Sequence, residues 1–340
     1  MVESAINLEI AVAIVTASII LSGILIGLGR AFSIKRIESF GIEELVQSVI
    51  NAALIGALAS IITLVGTLAN LETTGICSNS PDILIKTKCN FEALNEQLWK
   101  FENALISSSN IISYYKNLEL DFGGFSTKPF ESLEPISKIL SGQIITTNLL
   151  LTINLAIVGF SDFMSKNALA LILPLGLLLR SFFITRKIGG ILIAVAIGAV
   201  LIFPTFALGF ENPVTQVKNA TEKINEFNSN VYYAPTPIID LNNNFAVAAK
   251  IDVMSGRCLN ASNNSLCNNQ TITGLNSTSN TPDFQGDMTV LMQTSSQVVS
   301  NASLYSIISP IFALLISIFF VVELGGILGS ELISSTANLI

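Results

Sequence analysis

The sequence predicts an all-α membrane protein: about five transmembrane helices plus one re-entrant or interfacial apolar segment, with two disulfide-bearing extracellular loops. Three observations predict it. Only 12% of the residues are charged and 51% are hydrophobic, with a mean hydropathy of +0.65; a soluble domain carries about 25% charged residues. Charge-free apolar runs recur at 10–29, 46–69, 139–161, 188–210 and 305–322, each close to the about 20 residues that cross about 30 Å of hydrocarbon. Finally, two long polar segments separate the runs, and each holds one cysteine pair, Cys77/Cys89 and Cys258/Cys267.

The first run belongs to a helical hairpin, 1–70. Its flank Met1-Val2-Glu3 carries no Lys or Arg, and the positive charges Arg30, Lys35 and Arg36 follow it, so it reads as a span and not as a cleaved signal peptide. The segment 71–138 reads as a folded, helical extracellular loop. Phe91, Leu94, Leu98, Phe101 (or Glu102), Leu105 and Ile112 recur at helical spacing, Glu96 is placed to pair with Lys100, and a stop follows near Gly123-Gly124. The one tryptophan, Trp99, lies on this expected helix of roughly 91–118. Its apolar stripe either packs within the loop or forms a partner interface.

The region 139–210 is expected to hold two spans. Between them, 167–179 is a short apolar stretch flanked by Lys166 and Arg180 and containing Pro174 and Gly176. As a full crossing it would make six spans and put the two cysteine-bearing loops on opposite sides of the membrane. Disulfides persist in oxidising compartments, and short cytoplasmic loops collect Lys and Arg. Both point to five spans, the N-terminus outside and the C-terminus inside, with 167–185 re-entrant or interfacial.

All six Asn-X-Ser/Thr acceptors, Asn219, Asn260, Asn263, Asn269, Asn276 and Asn301, fall in the second loop, 211–303. A glycosylated asparagine is surface-exposed and non-cytoplasmic, so the cluster marks that loop as extracellular, although an Asn- and Ser-rich segment also makes such triplets by composition. The loop is expected to begin with a helix (Val214, Val217, Ile224, Phe227) and to continue as a helix from 288–303 into the last span. The remainder, 304–340, is that span and a cytoplasmic C-terminus.

Enzyme chemistry has no footing in these residues. There is no histidine, hence no Ser-His-Asp or Cys-His arrangement and no His-based metal site, and there is no GxxxxGK[ST] phosphate loop. The expectation is no enzyme, no cofactor and no metal. Net charge is −7 and pI about 4.7, a poor footprint for tight phosphate binding. Gly23/Gly27 in the first span and Gly325/Gly329 after the last are small-xxx-small pairs that permit close helix approach. Gln143, Thr147 and Asn154 fall within about 40° of one another on a helix, a stripe suited to interhelical hydrogen bonds or a pore lining. Glu9 and Glu323, near the ends of the first and last runs, read as snorkelling interface groups.

The stretches ESFGIEELVQSVINAALIG (38–56) and LPLGLLLRSFFITRKIGGILIAVAIG (173–198), with the overall layout, resemble archaeal polytopic membrane proteins of the CedA type, from the crenarchaeal DNA-exchange machinery. Those proteins are similar to the polytopic inner-membrane subunit of type IV secretion systems. The resemblance implies a non-enzymatic membrane channel or platform subunit through which DNA is imported. Its partners would be membrane lipid, further copies or small pilin-like subunits, and a cytoplasmic ATPase. It designates no catalytic residues, and the missing nucleotide site agrees with that division of labour. A DNA conduit would be expected to show a basic lining, so partners supply it or contact with DNA is weak. The alternatives are a glycosylated cell-surface receptor or adhesion protein, and a small-solute transporter. In the conduit reading, Pro174 and Gly176 would form the constriction.

Overall fold

The computed structural model describes residues 2–72, 77, 83–121, 124–128, 130–180, 185–230, 233 and 284–329. It is helical, and five helices among the described residues are long and apolar enough to cross a membrane: Ile10–Ala31, Lys35–Ile61, Glu131–Arg180, Arg186–Ala207 and Gly286–Leu328. The chain divides into two compact units.

The first unit comprises Met1–Glu92, Ile153–Asn212 and Tyr305–Ile340. Helix α1 (Val2–Ala31) and helix α2 (Lys35–Glu72) form a hairpin. The turn between them places Ser33 at φ 55°, and Ile34 N–H closes it on the Gly29 carbonyl at 2.9 Å. The two helices approach so closely that a Cβ on Gly29 would stand 2.8 Å from Glu38 Cα, and one on Gly41 would stand 2.9 Å from the Ile26 nitrogen. Glycine is required there because only its bare Cα allows that backbone spacing. By contrast Gly23 and Gly27 have nothing within 4 Å; the hairpin does not use that pair.

The expectation of a separate re-entrant segment at 167–185 is corrected by the structure. Helix α4 (Glu134–Asn167) runs through a π turn (Ala168–Ile172) directly into α5 (Leu173–Arg180), giving one continuous helical run. Only then does the chain reverse, into α6 (Arg186–Ile197), a second π turn (Gly198–Ile202) and α7 (Phe203–Ala207). A third π turn (Leu304–Ile308) leads into α10 (Ser309–Gly329).

Each of these π turns ends two residues before a proline: Pro174, Pro204 and Pro310. A proline in an α-helix strikes the carbonyl four residues back and cannot donate to it. The wider π turn moves that carbonyl out of the way and shifts the hydrogen bonding by one residue, so the helix continues where a break is expected from the proline alone.

An apolar cluster fills the first unit: Ala11, Val15, Ile55, Leu173, Leu177, Ile193, Ala196 and Leu328. A smaller one joins Leu84, Ala168 and Val200, bringing the first turns of α3 (Ile83–Lys116) against two π turns. Cys77 and Cys89 are disulfide-bonded beside this contact, with Cα atoms 5.9 Å apart. Lys88 Nζ donates to Asp162 Oδ1 at 2.7 Å, and Lys166 holds the other carboxylate oxygen at 2.6 Å. The Asp162 hydrogen bond is the main reason that the Lys88 ammonium is held above its usual range.

The second unit comprises Ala93–Thr152 and Pro213–Leu304. It combines the part of α3 from Ala93 on, the first part of α4, α8 (Val214–Ser229) and α9 (Phe284–Ser303). The expected periodicities hold: Leu94, Leu98, Phe101, Leu105 and Ile112 are 0% exposed, and Val217, Ile224 and Phe227 are buried. Helix α3 starts earlier than 91, because Ile83 and Leu84 extend its apolar face into the first unit. Tyr115, Phe130, Phe227, Tyr233 and Phe284 pack edge-to-face or tilted, with ring centroids 5.1–6.0 Å apart. Tyr115 Oη donates to the Tyr233 carbonyl at 3.0 Å and Tyr233 Oη to Asp287 at 2.6 Å. A two-residue antiparallel ladder, β1 (Leu120–Asp121) with β2 (Ser126–Thr127), closes the end of α3.

Thus 71–138 and 211–303 do not stay separate domains. Their helices share a core with residues 134–152, which the sequence assigns to a span. α9 continues through its π turn into α10, as the charge-free stretch predicts. Cys258 and Cys267 lie outside the described residues.

Candidate functional site: buried polar groups inside the apolar unit

Helix α2 buries a polar face. Gly41, Glu44, Gln47, Ser48, Asn51 and Ile55 follow helical spacing, and all six are buried. Glu44, Gln47, Ser48 and Asn51 are between 1% and 7% exposed, although they lie in a helix otherwise apolar enough to cross a membrane. Two arginines meet this face, one on each side of the α5–α6 turn. Arg180, the last residue of α5, is 2% exposed, and its Nη2 donates to Gln47 Oε1 at 3.4 Å. Arg186, the first residue of α6, lies 3.5 Å from Glu43 and 3.7 Å from Glu44. Formal charge is balanced, two against two, but the pairing is lopsided. Both carboxylates sit with Arg186, and among the described residues Arg180 bonds a neutral amide alone. Nε and Nη1 of Arg180, Oγ of Ser48 and Oδ1 of Asn51 have no hydrogen-bond partner.

A second set of buried polar groups lies on α4 and the π turn before α10. Asn154, Ser161 and Ser306 are 0% exposed and Tyr305 is 1% exposed. Both amide atoms of Asn154 and the hydroxyls of Ser161, Tyr305 and Ser306 lack hydrogen-bond partners. The Tyr305 ring stacks on Phe91 at 5.0 Å, and Ser309 Oγ donates to the Ala207 carbonyl at 2.8 Å. Along the α4–α5 run the buried face reads Asn154, Ser161, Ala168, Leu173, Leu177, Arg180. From Ser161 to Arg180 is about 28 Å at about 1.5 Å per residue, one hydrocarbon thickness. The inward face is therefore polar, then apolar, then polar.

The predicted site residues are divided by this arrangement. Gln143 and Thr147 fall in the second unit, where Gln143 Nε2 donates to Ser296 Oγ of α9 at 2.8 Å and Thr147 is buried with its hydroxyl on the Gln143 carbonyl. The Gln143 bond is interhelical and the Thr147 bond stays within α4, whereas Asn154, expected on the same stripe, belongs to the first unit's unpartnered set. Pro174 is buried behind its π turn. Gly176 packs against α6: a Cβ there would stand 2.9 Å from Ile193 Cγ1 and 3.0 Å from its nitrogen. In this structure Gly176 makes a helix contact. Replacing it with leucine would force α5 and α6 apart and so would not isolate a constriction.

Gly325 faces Ile191 and Ala194 of α6 at 3.5–3.8 Å. Gly329 ends α10, with surroundings outside the described residues, as is the Glu9 side chain. Glu323 is exposed, and so is Trp99, which is 60% exposed and off the buried stripe. Asn219 is exposed on α8, whereas the Asn301 amide donates to Gln216 at 2.6 Å. Asn260, Asn263, Asn269 and Asn276 lie outside the described residues.

The sequence does not mark the α2 face, Arg180 and Arg186 as a site, because the charge-free run begins at 46 and Arg180 stands as the flank of the short apolar stretch. The spacing 44, 47, 48, 51 was the available signal: three or four polar side chains on one stripe of a spanning helix face protein or water. Comparison of the chain with models of known protein families, with curated proteins and with solved structures gives no match.

Proposed function

We propose that this chain is a non-enzymatic conduit or platform subunit of a membrane transfer complex. It has five spans, its N-terminus outside, its C-terminus inside, and the loops that build the second unit extracellular, with the sequons and both cysteine pairs in them. The single observation that carries the reading is the inward face of the first unit. Two belts of buried, unpartnered polar groups are separated by the cluster around Ile55, Leu173, Leu177 and Ile193. Unpartnered buried polar atoms cost about 1–3 kcal/mol each, and ionisable groups within spans mark substrate or ion paths. A merely anchoring bundle needs neither. An apolar layer between polar ends closes a path to water by dewetting and opens with modest helix displacement.

The transported species follows from the resemblance to CedA-type proteins: DNA, moved with pilin-like partners and a cytoplasmic ATPase. The test is complementation of a strain lacking the gene. Asn154→Leu with Ser161→Leu should insert normally and lower transfer at least tenfold, and Leu177→Ser should make cells leak small ions. Full DNA transfer in the deletion strain itself would remove this reading. One observation favours a second reading: Trp99 and Asn219 are both exposed in the second unit, as the working surface of a receptor or adhesion protein would be. Deleting 255–285 separates the two, since an adhesion protein loses function and a conduit keeps most of it.

A further inference from the structure

We infer that Arg180 is the anchor of a binding site for a small monovalent anion, of the chloride class, at the inner end of the first unit. A guanidinium cannot shed its proton as a buried lysine can, so Arg180 carries its charge wherever it is placed. It is 2% exposed, and among the described residues its one side-chain hydrogen bond is to a neutral amide at 3.4 Å. The two nearby carboxylates, of Glu43 and Glu44, face Arg186 as ion pairs at 3.5 and 3.7 Å, without a hydrogen bond on Glu43 Oε1 or Glu44 Oε2. Arg180 is left with unpartnered donors at Nε and Nη1. The carbonyl end of α5 contributes only about half an opposing charge. An uncompensated buried cation costs several kcal/mol, and an anion on the unpartnered donors removes most of that cost.

The burial sets the size of the ligand. With Arg180 almost fully enclosed, a monatomic or similarly compact anion fits where a nucleotide or a lipid headgroup does not. The Ser48 hydroxyl is a further donor without a hydrogen-bond partner on the buried face of α2.

The site belongs to the inner polar belt and so rests on the conduit reading for its purpose, but not for its detection. The experiment uses the purified full chain in detergent. Chloride replaces gluconate, too bulky for the enclosed site, at constant ionic strength, and thermal midpoint and chloride-35 NMR line width are followed. In the wild type the midpoint should climb in proportion to the logarithm of chloride above half-saturation, and the line broadening should be competed away by bromide. Arg180→Gln should abolish both dependences. Arg180→Lys, which keeps the charge, should retain binding weakened several-fold. Glu44→Gln, which removes a competing negative charge, should tighten it.

Identical behaviour in chloride and gluconate overturns the proposal, as does chloride dependence that survives in Arg180→Gln. Loss of binding in Glu44→Gln would also overturn it, by making that carboxylate part of the site. If Arg180→Gln fails to fold, the wild-type titration and the Arg180→Lys and Glu44→Gln variants still decide the matter. Because no transfer is measured, a negative result here leaves the conduit reading standing, and full transfer in a deletion strain leaves the anion site standing.

Discussion

Gly189→Ala should be among the most damaging single-methyl changes in the first unit. Gly189 opens the second turn's worth of α6 against the end of α5. An alanine Cβ there would stand 2.6 Å from the Gly176 carbonyl oxygen and 2.8 Å from Arg180 Cα, and would also strike the Arg180 backbone nitrogen. All three neighbours are backbone, so no rotamer change relieves the contact. Reaching an ordinary separation of about 3.4 Å requires α5 and α6 to part by about 1 Å, which also loosens Gly176 from Ile193. Overpacking of this kind costs about 3 kcal/mol at the upper end of its usual range. Alanine's better helix propensity returns about 1 kcal/mol. The net loss is about 2 kcal/mol, a factor of about 30 in the unfolding constant.

The matched control is Gly23→Ala, where nothing lies within 4 Å and the helix propensity gain of up to about 1 kcal/mol should appear undiminished. Both are read by reversible unfolding of the full chain in mixed micelles, followed by far-UV circular dichroism. If Gly189→Ala proves as stable as Gly23→Ala, the α5–α6 hairpin does not pack as described and the placement of Arg180 beside α2 goes with it.

Three further outcomes are expected. Lys88, held above its usual range chiefly by its hydrogen bond to Asp162, keeps its proton in the folded chain at pH values where the unfolded chain has lost it. Its contribution is therefore complete below about pH 10.4 and declines as pH rises from there through the raised folded value; in alkaline titrations of stability Lys88→Met should lose less than the wild type. Cys77→Ser should lower unfolding stability by about 2–4 kcal/mol, and reducing agent should have a correspondingly smaller effect on the variant than on the wild type. Of the two described sequons, Asn219 is exposed and Asn301 is tied to Gln216 at 2.6 Å; glycopeptide mass spectrometry should find sugar on Asn219 and none on Asn301, and the reverse occupancy would contradict the packing of α8 on α9.

Much of the fold is written in local periodicity. The buried stripe of α3, the face Val217, Ile224 and Phe227 of α8, and the continuation of α9 into the last apolar helix are each legible because a helix exposes its own repeat in its own sequence. The same logic misreads 167–185. Lys166, Pro174 and Gly176 look like a break, and only the π turn two residues before the proline, a feature of hydrogen bonding rather than of residue type, keeps the helix whole. Glycines mislead for a related reason. The spacing of Gly23 and Gly27 marks a pair that could pack, yet Gly29, Gly41, Gly176 and Gly189 are where a Cβ would come within 3.0 Å of a neighbouring backbone.

By itself the sequence determined that the chain is helical, that five of its helices are apolar enough for a membrane, and which side of α3 and α8 is buried. Those are properties of composition and period, carried by neighbouring residues. Which polar groups meet was decided only by tertiary structure. Gln143 finds Ser296 more than a hundred positions away, Asn154 finds no partner, and Arg180 lands beside Gln47 while both carboxylates go to Arg186. Pairing of charges depends on which helices touch and at what height, and helix period leaves that undetermined.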